Sequence, residues 1–141
     1  MNHKLPDFIY NLGRPLDVVL DNESKEYKAC DFLLNGAKIK FRQAKTTPTK
    51  SGQFVTLWKR TKNGPIAPYD INDEFDFVII SSKNGYFSFP KSVLINQNIV
   101  SSENSGGKRA FRIYLPHETN LNKQATKTQN WQKKYYITNS S

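Results

Sequence analysis

Apolar and polar residues alternate through much of the chain, which predicts a protein built mainly from β-strands. Two alternating runs, 27–34 and 38–45, flank Asn35-Gly36, a dipeptide that tolerates positive φ and favours a tight hairpin turn. Within the second run, alternation places Ile39, Phe41, Gln43 and Lys45 on one face of the strand. The remaining predicted strands are 53–60, 75–81, 86–89 and 110–115.

Three short helices are predicted around these strands. Pro6 can open a helix that ends at Gly13, and Pro90 suits the first position of a helix to about residue 97. Asn120 or Asn122 can cap a last helix to about residue 134. The run 15–20 is too short for periodicity to choose between helix and strand, and the last residues, 137–141, are expected to fray.

Strands dominate this pattern, and neither an internal repeat nor a long linker divides the chain. We therefore predict one α+β domain over residues 1–141. Its core is expected to be a central mixed β-sheet flanked by helices.

Composition narrows the classes of function. A chain of 141 residues with 37% hydrophobic and 13% aromatic residues fits one globular unit with a core. One cysteine cannot form a disulfide framework, and two distant histidines cannot build a zinc finger. Cys30 lies within a strand-like run and is expected to be a buried structural thiol. No apolar run approaches membrane-spanning length and the N-terminus lacks a secretory pattern, so a cytoplasmic location is predicted.

The charge is strongly positive and unevenly placed. The formal net charge is +9, and no acidic residue occurs between Asp31 and Asp70. We call residues 32–69 the acid-free stretch; its cations are Lys38, Lys40, Arg42, Lys45, Lys50, Lys59, Arg60 and Lys62. Such a stretch predicts a continuous positive field that attracts phosphates. Alternatively, the lysines form a solvated face or bind an acidic protein partner.

Several cations of the chain are close in sequence to aromatic residues. In nucleic-acid-binding proteins, cations hold the phosphates and aromatic rings stack on the bases. Trp58 is expected to be buried, whereas Lys59 and Arg112 are expected to be exposed. The predicted nucleic-acid contacts are Arg42, Lys50, Lys59, Arg60, Lys108, Arg109 and Arg112.

Common catalytic signatures are absent, including the GxSxG, GxxxxGK[ST], GxGxxG and HExxH motifs. One group of residues could form a catalytic metal site. Asp31, Gln43 and Lys45 come from the two strands of one predicted hairpin. Asp31, the Gln43 amide oxygen and Glu26 or Glu23 could supply oxygen ligands to Mg²⁺, with Lys45 stabilising charge on a scissile phosphate. The structural alternative is that Asp31 forms an ordinary cross-strand ion pair with the basic strand.

The Asp31, Gln43 and Lys45 spacing resembles the core of the PD-(D/E)XK nucleases, and the strand order around it resembles restriction-endonuclease-like domains. This resemblance implies a restriction-endonuclease-like topology, with Asp31, Gln43 and Lys45 in the catalytic positions and Asp31, Gln43 and Glu26 around the metal. Gln43 stands where the family has a second acid, which implies an unusual or degenerate site.

A resemblance to the MepB family covers almost the whole chain. It rests on ESKEYKACDFLLNGAKIKFRQAKTTPTKSGQFVTLWKR, GYFSFPKSVL, SGGKRAFRIYLP and TQNWQKKYY. It implies a bacterial cytosolic protein of unassigned activity. Together, charge and resemblance predict a protein that interacts with nucleic acid through a basic cleft. An active Mg²⁺-dependent DNA or RNA phosphodiesterase and a regulatory adaptor for an acidic protein are the alternatives.

Overall fold

The computed structural model describes residues 5–103 and 105–139. Within that range, the α-helices are α1 (Asp7–Leu12), α2 (Lys91–Asn96) and α3 (Lys123–Gln132), and 3₁₀ segments cover Asn22–Tyr27 and Lys133–Tyr135. The strands are β1 (Leu16–Leu20), β2 (Cys30–Leu34), β3 (Ala37–Gln43), β4 (Lys45–Thr46), β5 (Gln53–Thr56), β6 (Lys59–Arg60), β7 (Ile66–Ala67), β8 (Phe77–Ser82), β9 (Gly85–Pro90), β10 (Ala110–Ile113) and β11 (Tyr136–Thr138). None of the helices in the described range is long and apolar enough to span a membrane.

A six-stranded sheet in the order β1-β2-β3-β8-β9-β11 forms the centre of the fold. β3 and β8 run parallel, whereas the other neighbouring strands are antiparallel. A second sheet has the order β10-β5-β4, and β6 pairs with β7 in a two-stranded ribbon. The predicted α+β class with a central mixed sheet is confirmed.

The β2–β3 hairpin is set by its turn. Asn35 and Gly36 have φ of 52° and 85°, the positive values that let a two-residue turn match the twist of its strands. The resulting register places Asp31 opposite Lys40. Because side chains alternate along a strand, this register decides which face each residue of the hairpin occupies.

The middle strands of the central sheet, β3, β8 and β9, are largely buried on both faces, whereas β1 at the edge is exposed. On one face, Phe32, Ile39 and Phe41 pack with Phe8 and Ile9, which α1 supplies. Cys30 belongs to the same cluster; burial, with the Asp31 charge adding to it, raises the pKa of its thiol to about 12. The expected buried thiol is therefore present and is not poised as a nucleophile.

The opposite face packs against the second sheet. Val78, Ile80, Phe87 and Phe89 of the central sheet meet Val55, Phe111 and Ile113 of the second sheet, together with Leu94 of α2. Full burial of each such side chain stabilises the fold by about 1.5–3 kcal/mol. This layer holds β10 and the preceding loop beside the central sheet, where α3 can reach them.

Several predicted strand boundaries differ from the structure. The run 27–34 becomes a strand only at Cys30, because Tyr27 ends a 3₁₀ segment and Lys28 has a φ of 51°. The run 38–45 is broken at Ala44 because the chain leaves the central sheet there and continues as β4 of the second sheet. The run 53–60 is broken at residues 57–58, where it passes from the second sheet into the ribbon. Residues 137–138, expected to fray, belong to β11 and pair with β9; residues 140–141 lie outside the described residues.

Candidate nucleic-acid interface

The structure does not bring Asp31, Gln43 and Lys45 together. Asp31 lies opposite Lys40, and its Oδ2 is 3.0 Å from the Lys40 ammonium. Gln43 is an odd number of positions from Lys40 in the same strand, so its side chain lies on the other face of the sheet. The cross-strand ion pair, the structural alternative for Asp31, is the arrangement that the structure has.

Lys45 lies beyond the strand break, in β4. Its Nζ is 2.8 Å from Glu26 Oε2 and 5.2 Å from the centroid of the Tyr27 ring. The hydrogen bond to Glu26 raises the pKa of Lys45, and the same bond lowers the pKa of Glu26. Lys45 therefore holds its proton as a structural cation and has no contact with Asp31.

The predicted magnesium ligands do not fit that ion. The Asp31 carboxylate is paired with Lys40, Glu26 with Lys45, and Glu23 with Arg60 at 2.7 Å. Among residues 5–103 and 105–139, no group of three His, Cys, Asp or Glu side chains could hold a metal ion. Since a hard divalent cation needs several converging oxygen ligands, this arrangement supports no metal-assisted step.

The cations of the acid-free stretch do not form a continuous positive field. Five of the eight make ion pairs: Lys38 with Glu74, Lys40 with Asp31, Lys45 with Glu26, Lys59 with Asp70 and Asp73, and Arg60 with Glu23. Carboxylates from both sides of the stretch fold back onto it. The predicted field is therefore largely neutralised, and of the three other cations only Lys50 and Lys62 are exposed.

Arg42, a predicted nucleic-acid contact, is buried. Only 1% of the residue is exposed, and Nη1 donates a hydrogen bond of 2.8 Å to the carbonyl of Phe41. Its Nε has no hydrogen-bond partner among the described residues. A side chain in this position cannot reach a bound polyanion, so the prediction that Arg42 contacts nucleic acid does not fit its burial.

Lys59 and Arg60 are held by acids. Lys59 Nζ lies 2.7 Å from Asp73 Oδ2 and 3.3 Å from Asp70 Oδ2, and the hydrogen bond to Asp73 raises its pKa. Arg60 donates to Glu23, and its guanidinium is 5.6 Å from the Trp58 ring. Trp58 is half-buried rather than buried, and Lys59 is not the exposed contact that alternation predicted.

Arg112 makes hydrogen bonds within the fold. Its guanidinium donates to the carbonyls of Ser51 and Gly52 and to the hydroxyl of Thr47. The side chain, predicted to be exposed, is half-buried and ties the turn before β5 to β10. Lys50, on that turn, is exposed and takes part in no ion pair of the described residues.

Positive charge without partners is concentrated elsewhere. Residues 105–139, which we call the C-terminal region, contain one acid, Glu118, and seven cations: Lys108, Arg109, Arg112, Lys123, Lys127, Lys133 and Lys134. None of the seven belongs to an ion pair within the described part of the chain. Glu118 itself accepts hydrogen bonds from the backbone N–H groups of Gly52 and Leu115.

A cleft of about 420 Å³ lies between β10 and α3 in this region. We call it the β10–α3 cleft. It is lined by Phe54, Gln97, Ile99, Lys108, Ala110, Phe111, Arg112, Tyr114, Asn122, Gln124, Ala125, Thr128, Trp131 and Gln132. None of these residues is acidic, and they combine aromatic rings and carboxamides with two cations.

Sequence and geometry together explain how α3 reaches β10. Asn122, one of the two predicted caps, accepts a hydrogen bond of 2.8 Å from the N–H of Ala125 and fixes the start of α3. At the other end, buried Gln132 accepts from the N–H of Tyr114 at 2.9 Å and donates to the carbonyl of Arg112 at 3.0 Å. The side-chain amide thus pairs with β10 as a neighbouring strand would.

Lys108, Arg109 and Arg112 were predicted from the sequence as contacts, whereas the β10–α3 cleft was not predicted. Trp131 is half-buried, contacts Phe89 and also lines the cleft. One available signal was the ratio of seven cations to one acid in residues 105–139. Nothing in the sequence indicated the role of Gln132, because its hydrogen-bond partners lie 18 and 20 residues away along the chain.

Comparisons with known proteins agree with the resemblance seen in the sequence. The family model described as MepB-like matches residues 21–138. The crystal structure of MepB is 32% identical, with a TM-score of 0.87, and the match covers 96% of this chain and 94% of that one. A search of curated proteins finds no match.

A bacterial homing endonuclease is also similar in structure, at 17% identity and a TM-score of 0.43, over 76% of this chain and 68% of the endonuclease. That likeness is too weak to carry a conclusion, and the restriction-endonuclease-like topology stays a prediction. The family model and the MepB structure, by contrast, each cover most of the sequence. The chain therefore belongs to the MepB-like family.

Proposed function

We propose that this MepB-like protein binds nucleic acid through the surface formed by β10 and α3, and that it does so without cutting the strand. The observation that carries the proposal is the contrast in charge pairing. The cations of the C-terminal region have no carboxylate partners in the described structure, whereas most of those in the acid-free stretch do.

An unpaired surface cation gains more from a phosphate than a paired one, because no protein carboxylate competes for it. Binding to nucleic acid is then driven largely by release of counterions from the phosphates. If about four cations contact phosphates, the logarithm of the association constant should fall with the logarithm of salt concentration with a slope of about −3. Lys108 and Arg109 are the first candidates, since both are exposed and Lys108 lines the β10–α3 cleft.

A matched pair of double variants tests the surface. Lys108→Gln with Arg109→Gln and Lys38→Gln with Lys45→Gln each remove two positive charges, the first pair unpaired and the second ion-paired. Fluorescence anisotropy with short labelled DNA and RNA oligonucleotides should show about tenfold weaker binding for the first variant and a salt slope lower by about 1 to 2. The second variant should bind within about twofold of the wild type.

Equal losses in the two double variants would mean that only net charge matters and would refute the assignment of this surface. Absence of salt-dependent binding to either nucleic acid would refute the function itself. Poly-glutamate provides the comparison with the adaptor alternative, since it is a polyanion with neither bases nor phosphates. If it binds as tightly as the oligonucleotides at equal charge, the partner is an acidic protein.

The absence of cleavage is tested separately. Oligonucleotide incubated with the protein and Mg²⁺ should remain intact, because the carboxylates of Asp31 and Glu26 are paired with lysines and do not converge. Strand cleavage that requires a divalent cation and is abolished by Lys45→Ala would favour the phosphodiesterase alternative instead. The proposal keeps the predicted cytoplasmic location, which fractionation of the producing cells would check.

A further inference from the structure

β10 is the edge strand of the second sheet, and its residues Ala110 and Arg112 line the β10–α3 cleft. Arg109 and Leu57 form a hydrogen-bonded pair, since the N–H of Leu57 donates to the carbonyl of Arg109 at 2.9 Å. In an antiparallel ladder such pairs alternate, so Phe111 and Ile113 also bond to β5, whereas the backbone groups of Ala110 and Arg112 point away from it. The hydrogen bond from Gln132 to the carbonyl of Arg112 agrees with this alternation, since that carbonyl points away from β5.

Both ends of this edge are closed. At one end the N–H of Lys108 donates to the carbonyl of Ile99 at 2.9 Å. At the other end Gln132 occupies the carbonyl of Arg112 and the N–H of Tyr114. Between them remain the N–H and carbonyl of Ala110 and the N–H of Arg112, which have no partner among the described residues.

The walls around this edge are suited to a flat, polar ring. Trp131 lines the cleft and also a smaller recess of about 150 Å³ beside Tyr135 and Lys134. The indole packs against Phe89 on one side, with 5.4 Å between ring centroids, and remains half-exposed. Lys108 lies at the closed N-terminal end of the edge, and its ammonium group belongs to no ion pair of the described residues.

We propose that the β10–α3 cleft is a subsite for one nucleobase. In it, the backbone groups of Ala110 and Arg112 hydrogen-bond the edge of the base, the ring packs against Trp131, and Lys108 holds the attached phosphate. The proposal rests on the proposed function and deepens it, because it assigns a recognition step beyond the attraction of phosphates. Carboxamides that also line the cleft, Gln97, Asn122 and Gln124, add donors and acceptors of the kind that bind base edges.

A peptide strand fits this edge less well. Two residues of open backbone, closed on both sides, can make about three hydrogen bonds, whereas β-strand addition uses a longer open edge with alternating pockets. Three donor and acceptor groups in a row match the edge of a single base instead. The volume of about 420 Å³ is in the range that small-molecule sites occupy.

The two tryptophans make the test direct. In a Trp58→Phe variant, Trp131 is the one remaining fluorophore of its kind in the sequence. Titration with AMP, GMP, CMP and UMP should quench or shift its emission in a saturable way for at least one nucleotide. Ribose 5-phosphate and inorganic phosphate, which lack the base, should act at least about tenfold more weakly.

A matched pair of substitutions on α3 locates the effect. Thr128 lines the cleft, whereas Thr126 lies two positions away, exposed and outside the cleft. In the Trp58→Phe background, Thr128→Phe should weaken nucleotide binding at least about tenfold by filling the cleft, and Thr126→Phe should leave it within about twofold. If Trp58→Phe folds poorly, the two indole N–H signals in a ¹⁵N–¹H spectrum of the wild-type protein report the same titration.

The outcomes separate the two proposals. Oligonucleotide binding that depends on Lys108 and Arg109, together with no response of Trp131 to any nucleotide beyond that to ribose 5-phosphate, would overturn the base subsite and leave the proposed function standing. A Trp131 response to poly-glutamate but to none of the nucleotides would overturn the base subsite, and it would overturn the proposed function too if poly-glutamate bound as tightly as the oligonucleotides. Equal effects of Thr128→Phe and Thr126→Phe would place the nucleotide outside the cleft and would also overturn the subsite.

Discussion

The acid-free stretch and the C-terminal region are both basic in sequence, yet their charges have different fates in the folded protein. Residues 32–69 carry eight cations and no acid, and five of those cations are ion-paired in the structure. Residues 105–139 carry seven cations and one acid, and none of the seven is ion-paired within the described residues. The denser cluster in sequence is therefore the weaker candidate for binding a polyanion.

The difference comes from partners that are distant along the chain. Lys45 pairs with an acid 19 residues away, Lys38 with one 36 residues away and Arg60 with one 37 residues away. Glu23 and Glu26 precede the stretch, and Glu74 follows it. A charge count over a window of sequence cannot include these partners, so it overstates the field that a bound polyanion would meet.

The largest expected effect concerns how the C-terminal region is held. Gln132→Leu removes the buried amide that closes the edge of β10 and leaves the N–H of Tyr114 and the carbonyl of Arg112 without it. Because each unsatisfied buried group costs about 1–3 kcal/mol, we expect the free energy of unfolding to fall by about 2–4 kcal/mol. Urea denaturation followed by circular dichroism measures this change.

Gln124→Leu is the matched control, because Gln124 is an exposed amide on the same helix. Its free energy of unfolding should stay within about 0.5 kcal/mol of the wild type. A loss below about 1 kcal/mol in Gln132→Leu would show that water replaces the amide and that α3 is not fixed to β10 through it.

A smaller effect is expected from the Asp70 carboxylate, which accepts a hydrogen bond from the N–H of Asn72 and pairs with Lys59. A backbone hydrogen bond from Asn72, together with Lys59, lowers the pKa of the Asp70 carboxyl from its ordinary value. A carboxylate whose folded pKa lies below its unfolded value stabilises the protein above the unfolded pKa and loses that contribution as pH falls. From about pH 4 downward, the wild type should therefore lose up to about 1 kcal/mol more stability than Asp70→Asn.

Urea unfolding at pH 6 and at pH 3 compares the two proteins. Asp17→Asn serves as the control, since it removes an exposed carboxylate outside the ion pairs of the described chain. That control should keep the pH dependence of the wild type. Identical pH dependence in Asp70→Asn and the wild type would show that neither the pair with Lys59 nor the hydrogen bond from Asn72 makes stability depend on the charge of Asp70.

The smallest effect would sharpen the contrast between the two regions directly. The double variant Glu26→Gln and Glu74→Gln removes the partners of Lys45 and Lys38 and so releases two cations of the acid-free stretch. Oligonucleotide affinity at low salt should rise about two- to fivefold through the stronger field. Fluorescence anisotropy at two salt concentrations measures the gain, which should shrink at the higher one.

Asp17→Asn with Glu103→Gln removes the same two negative charges without releasing an ion-paired cation. This control should change affinity less than the first variant does. If both variants gain equally, net charge rather than ion pairing explains the difference, and the comparison between the two regions loses its basis.

Local features of the fold were predictable because they depend on neighbouring residues. The Asn35-Gly36 turn, the helix after Pro90 and the Asn122 cap are each set by backbone geometry within a few positions. The end of β3 at Gln43 was not predictable, because it depends on the chain passing from one sheet to another. β11 was also missed, since its three residues become a strand only through pairing with β9.

For the candidate site, alternation correctly separated Lys40 from Gln43, but the placement of Asp31 beside Gln43 required a register that the hairpin does not adopt. The sequence by itself determined the strand-rich α+β class, the hairpin turn and the net charge of +9, since these follow from composition and local conformation. Tertiary structure decided which cations form ion pairs with carboxylates and which strand edge keeps unpaired backbone groups. Ion pairs and edge pairing join residues from distant parts of the chain, and only packing brings those residues within hydrogen-bonding distance.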